Sequence, residues 1–132
     1  MNILKGIVKS VEVNGSLSLV RTEIAEITLT AIVVDTPETA PYLKEGHLVK
    51  VIFKETEVII GKGTQHQISL RNKLPGRIIK IETDNLLSKV VVETAVGKIA
   101  SIITSNAVKN LPLQPGEEVT AMIKTNEMML SG

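Results

Sequence analysis

The chain is 132 residues long with a formal net charge of +1, so no overall charge steers it toward nucleic acid or an anionic membrane. It has no cysteine, which removes disulfides, thiolate metal sites and cysteine nucleophiles together, and no run approaches the roughly 20 apolar residues of a membrane span. Hydrophobic residues are 43% of the chain but aromatics only 2%, Tyr42 and Phe53, so the core must be built from Val, Ile and Leu, the residues of strands.

In chain order, residues 4–13 read as a first strand running into Asn14-Gly15, a dipeptide suited to a tight hairpin turn. A second strand covers 17–24. The third, 27–33, alternates with period two, with Ile27, Leu29, Ala31 and Val33 on one face and Thr28 and Thr30 on the other, so one face is buried. Pro37 and Pro41 bar a strand from 36–43, which reads as a turn or a single helical turn. Strands at 47–54 and 57–60 bring the number to five. The polar, glycine-rich stretch from Gly61 to Gln67 then marks a linker, placed at 63–68.

The second half follows the same plan. Strands are expected at 74–83, 86–94 and 98–103, a short helix at 106–110 capped by Ser105, and strands at 117–124 and 127–130. Residues 1–62 align without a gap on residues 71–132: Asn2, Leu4 and Gly6 fall on Asn72, Leu74 and Gly76, and Gly46, Val49 and Lys54 on Gly116, Val119 and Lys124. The chain therefore divides into a first unit, 1–62, and a second, 69–132. The fold class is all-β: two tandem OB-like five-stranded Greek-key barrels, each with a short helix or turn between its third and fourth strands. Units of about 60 residues bury too little surface to be comfortable alone, and short barrels leave edges that invite pairing.

A repeat keeps in both copies what the fold needs, so residues present in one copy are candidates for function. Ser69 and Arg71, just before the second unit's first strand, have no counterpart in the first. With Asn72 they offer a hydroxyl, a guanidinium and an amide within four residues, and Lys124 supplies a second cation near the end of the fourth strand. A tetrahedral dianion needs charge compensation and several convergent donors, which this set provides. On the residues alone, Arg71 and Lys124 also read as solvated charges at strand ends. Asn72, with Asn2 as its counterpart, also reads as a turn former.

Ser69-Leu70-Arg71-Asn72-Lys73-Leu74-Pro75-Gly76, followed by the stretch from Leu113 through Gly116 and Val119 to Ile123-Lys124, resembles the molybdenum-pterin-binding (Mop) unit of the TOBE domain family. Leu70 stands where that signature has Ala. The whole chain resembles the paired, di-Mop arrangement, with the first unit carrying only the strand framework. The resemblance implies barrels that exchange strands between neighbours and bind molybdate or tungstate at subunit interfaces, with no cofactor and no catalysis. Its implied ligands are Ser69, Arg71 and Asn72 from the opening segment, Lys124 and the backbone near Thr125 from the closing one, and Thr104 from a neighbouring unit. A further hydroxyl position is occupied by Ala107, with Ser105 or Asn106 as a substitute. In the first unit Lys54 is retained, but Val34 and Pro37 replace the hydroxyls, so Lys54 is a secondary candidate. The resemblance further implies a homo-oligomer, a trimer first and a dimer second.

Other motifs carry less. Gly61-Lys62-Gly63-Thr64 lacks the spacing of a phosphate-binding loop and no helix follows it. His47 and His66 are too few for zinc. No nucleophile and base, metal set or acidic dyad points to an enzyme. One Tyr and one Phe leave little for a single-stranded nucleic acid to stack on. The expectation is a cytoplasmic oxyanion-binding protein for storage, buffering or homeostasis. The alternatives are the effector-sensing half of a molybdate-responsive regulator and, further off, an OB-type nucleic-acid module.

Overall fold

The computed structural model describes residues 1–132. Ten strands form in order: β1 (Asn2–Asn14), β2 (Leu17–Ile24), β3 (Ile27–Val33), β4 (Leu48–Phe53), β5 (Ile59–Lys62), β6 (Asn72–Thr83), β7 (Leu87–Thr94), β8 (Gly97–Thr104), β9 (Glu118–Ile123) and β10 (Met129–Ser131). One helix, α1 (Ser105–Asn110), lies between β8 and β9, and 3-10 turns at Glu55–Glu57 and Thr125–Glu127 precede β5 and β10. Residues 36–43 make turns and no helix. No helix is long and apolar enough to cross a membrane.

The strands make two antiparallel sheets of five, in the orders β10-β4-β1-β2-β3 and β5-β9-β6-β7-β8. The two units of the chain thus trade their last strands: β5 pairs with β9 of the second unit, Ile60 opposite Ala121, and β10 pairs with β4 of the first, Leu130 opposite Val51. Each four-stranded unit has one open edge, that of β4 or β9, covered by a short strand from the other.

Burial follows the same logic. In β1, Asn2, Leu4, Gly6 and Val8 face inward and alternate with exposed neighbours, as period two requires. The main core draws on both units, with Leu4, Leu29, Val51 and Phe53 packed among Leu74, Ile99, Ile123 and Met128. Two small units that bury little separately therefore share one core. A smaller cluster of Val8, Val20, Ala40, Leu43 and Val49 closes the far end of the first unit.

The repeat extends to irregularities. The β1–β2 register shifts between Val8 and Ser10, and the β6–β7 register shifts at the equivalent Ile78 and Lys80, bending both long strands in the same place. At Gly6 a Cβ would lie 2.6 Å from Ile24 Cγ1 and 2.8 Å from the Glu23 carbonyl oxygen, and at Gly76 it would run into the Glu93 carbonyl oxygen, so both glycines permit close strand approach.

Two local expectations shift by a residue. Asn14 is the last strand residue, paired with Leu17, and the hairpin turn is Gly15-Ser16, with Gly15 at φ 64°. The cap of α1 is Thr104 and not Ser105: Thr104 is extended and its Oγ1 accepts from Ala107 N–H at 3.1 Å. Ser105 is turned inward instead, into hydrogen bonds described below.

Candidate functional site

Antiparallel pairing builds the site's floor. Asn72 opens β6 opposite Ile123, which closes β9, so Arg71 and Lys124, the next residues outward, flank the same end of that ladder. Both are exposed, and neither takes part in any of the six ion pairs of the chain. Thr125, half-buried, begins the 3-10 turn directly after Lys124, and Ser69 lies exposed two residues before Arg71. Two uncommitted cations thus flank the mouth of the second sheet, with Thr125 directly after one and Ser69 two residues before the other.

The linker that delivers Ser69 and Arg71 is pinned to that sheet. Lys73 Nζ donates to the His66 carbonyl at 2.9 Å, and Thr120 Oγ1 donates to the Gly63 carbonyl at 2.8 Å. The His66 ring packs where Gly61 leaves room for it. The opening segment therefore leaves a fixed platform.

Asn72 is removed from the candidate donors. Its side chain is buried, its Oδ1 accepts from Thr30 N–H at 2.7 Å, and its Nδ2 donates to the Thr30 carbonyl at 2.8 Å. Asn2 treats Ala100 in the same way, at 2.8 Å in both directions. Since the arrangement occurs in both units, with Thr30 and Ala100 also 70 positions apart, its function is to clasp one unit to the other. The presence of Asn in both repeats was the sequence signal for this.

Ser105 is removed as well. It is buried, donates to the Asp84 carbonyl at 2.8 Å and shares a 2.9 Å contact with Ser88 Oγ, which makes it part of the β7–α1 packing.

Thr104 stands apart from Arg71 and Lys124. It pairs with Leu87, and β7 meets β6 there at Ser88 and Thr83, the far end of β6 from Asn72. The length of β6 separates the two groups. Thr104 is exposed, and since its oxygen accepts from Ala107, its O–H is free to donate. Exposed Leu86 and Leu87 lie beside it, at 78% and 49% of full exposure, an apolar surface without a partner in the chain. Lys54 occupies in the first unit the place of Lys124, exposed and before the 3-10 turn. The four principal surface grooves lie away from Arg71 and Lys124. No group of three or more His, Asp or Glu side chains is placed to hold a metal ion.

The TOBE domain family matches residues 68–130, the segment that holds this mouth. Molybdenum-pterin-binding protein 1 of Clostridium pasteurianum is 39% identical over 64 residues, covering 48% of this chain and 94% of that protein. The chain belongs to the molybdenum-pterin-binding, or Mop, family. Molybdenum-pterin-binding protein MopB of Rhodobacter capsulatus is 32% identical over 105 residues, which is 78% of this chain but only 39% of MopB, so the chain spans well under half of that relative's length. The fold as a whole matches a crystal structure of the cytoplasmic molybdate-binding protein ModG with molybdate bound, at a TM-score of 0.91 and 27% identity, over 98% of this chain and 94% of ModG. The tandem all-β architecture read from the repeat and the Mop resemblance are both borne out.

Proposed function

We propose that this Mop-family protein binds molybdate or tungstate and performs no chemistry on it. Ser69, Arg71, Lys124 and the hydroxyl and backbone N–H of Thr125 from one copy of the chain meet Thr104 of a second copy around the anion. The observation that carries this reading is the pair of uncommitted cations at Arg71 and Lys124, set just beyond the ends of two paired strands at one open mouth. Charge-assisted bonds from a guanidinium and an ammonium answer a dianion's two charges, and the hydroxyls answer its remaining oxygens.

The interface follows from distance. Thr104 is too far along the sheet to share an anion with Arg71 of its own unit, whereas a second copy docking on exposed Leu86 and Leu87 would bring its own mouth there. Closed symmetry then multiplies equivalent sites, in a trimer or a dimer. ModG, a molybdate-binding protein of matching fold, supports the same ligand class.

The relatives named for molybdenum-pterin raise the question of the pterin. Phe53 is fully buried, and Tyr42 is half-buried with its hydroxyl tied to the Leu130 carbonyl at 3.0 Å, so the chain has little aromatic surface on which to stack a pterin ring. The reading is therefore of the bare oxyanion. ModG's cytoplasmic location favours intracellular storage or buffering, in the cytoplasm.

Calorimetric titration of the size-defined oligomer with molybdate, in a large excess of sulfate and phosphate, tests this. Saturable binding at a fixed number of anions per chain is expected. Absence of heat at several temperatures, with no rise in melting temperature on adding molybdate, would overturn it.

A further inference from the structure

The first unit carries a copy of the second unit's mouth that differs from it in charge. Asn2 pairs with Phe53 as Asn72 pairs with Ile123, so Lys54 stands where Lys124 does. Lys54 (φ −75°, ψ 147°) and Lys124 (φ −69°, ψ 147°) each precede a three-residue 3-10 turn, so the two backbones match. The residue that opens the turn is Thr125 in the second unit and Glu55 in the first. The Glu55 carboxylate lies 2.8 Å from the Met1 ammonium. Lys89 of β7 adds a further positive charge, and together these contacts hold its carboxyl below the usual carboxylate range.

We propose that Glu55 is a built-in anion that closes the first unit's mouth, so that the chain takes an external oxyanion at the second unit and rejects it at the first. This rests on the oxyanion reading given above and adds, to the missing counterparts of Ser69 and Arg71, a second reason for an asymmetry between the two mouths. The Glu55 carboxylate sits in the positive field that Thr125 leaves open. A dianion placed there would meet repulsion from that carboxylate, which offsets its attraction to the neighbouring cations. The strand framework does not ask for an acid at this position, since the second unit builds the same turn with Thr. Nor does the first unit hold counterparts of Ser69 and Arg71, so the mouth opened by removing Glu55 is a weak one.

Backbone amide NMR of the intact oligomer, titrated with sodium molybdate, tests this in the wild type, Glu55→Thr and Glu55→Ala. In the wild type the amide of residue 125 is expected to move and saturate while that of residue 55 stays in place. In either variant the residue 55 amide should also move and saturate, at a concentration at least tenfold higher than residue 125 needs. A residue 55 amide that follows residue 125 in the wild type, or that stays in place in both variants, overturns the proposal. A wild-type residue 125 amide that ignores molybdate overturns the oxyanion reading itself and this inference with it, and is a separate observation in the same spectra.

Discussion

Asn72 grips Thr30 by both ends of its amide, at 2.7 and 2.8 Å, and so joins the first strand of the second unit to the third strand of the first. The residue sits beside Arg71 in the sequence, yet its side chain faces the core. Asn72→Ala leaves a backbone N–H and carbonyl of Thr30 without partners in a half-buried place, a change that costs about 1–3 kcal/mol. Urea denaturation should show that loss, while the folded fraction binds molybdate with nearly unchanged affinity. Undiminished stability with lost binding would return Asn72 to the ligand set.

Arg71 and Lys124 should behave in the opposite way. Both are exposed and unpaired, so truncating either removes little from the fold. Hydrogen bonds to charged groups contribute about 1.5–3 kcal/mol each, so Arg71→Ala and Lys124→Ala should each weaken molybdate binding by roughly 10- to 100-fold. The melting temperature without ligand should change little. Calorimetry and a thermal melt on the same samples check both halves, and a variant that melts early would make its residue structural.

Periodicity and the repeat made most of the fold readable, because alternation in 27–33 and the offset between Gly6 and Gly76 are local facts that the backbone must obey. What alternation does not encode is the partner of a short strand. Ile60 opposite Ala121 and Leu130 opposite Val51 are contacts across units, and the same apolar residues would suit pairing within their own unit. The site divides in the same manner. Arg71 stands out by having no counterpart in the first unit and Lys124 as a charge at a strand end, whereas the sequence ranks the adjacent hydroxyls Thr104 and Ser105 as ligand and substitute and gives the helix cap to Ser105. Ser105 is the inward one because Ser88 and the Asp84 carbonyl receive it, which leaves Thr104 to cap the helix.

The separation of Thr104 from Arg71 makes the interface testable by complementation. Thr104→Val removes the hydroxyl that the second copy is proposed to supply, and it also removes a helix cap, at a cost of about 1 kcal/mol of stability. Arg71→Ala and Thr104→Val chains, each weak in molybdate binding alone, should regain tight sites when unfolded together and refolded as mixed oligomers. In those assemblies some interfaces join an intact Arg71 to an intact Thr104. Radiolabelled molybdate retained on gel filtration measures the recovery, and mixtures no better than the average of the two variants would show that both residues act within one chain.

Asp84 gives the hairpin between β6 and β7 a pH dependence. Its Oδ1 accepts from the backbone N–H groups of Leu86 at 3.0 Å and Leu87 at 2.9 Å, and these bonds, Leu87 first, hold its carboxyl below the ordinary Asp value. A carboxylate whose pKa is lower folded than unfolded stabilises the folded state at pH values above its unfolded pKa, near 3.9. That contribution fades as the pH falls through the folded value. Asp84→Ala should therefore melt below the wild type at pH 7, with the gap narrowing as the pH is lowered from about 4 toward 2. Melting curves of both proteins across that range decide the matter, because a gap constant with pH would mean that the turn is held by the backbone shape of Asp84 and not by its charge.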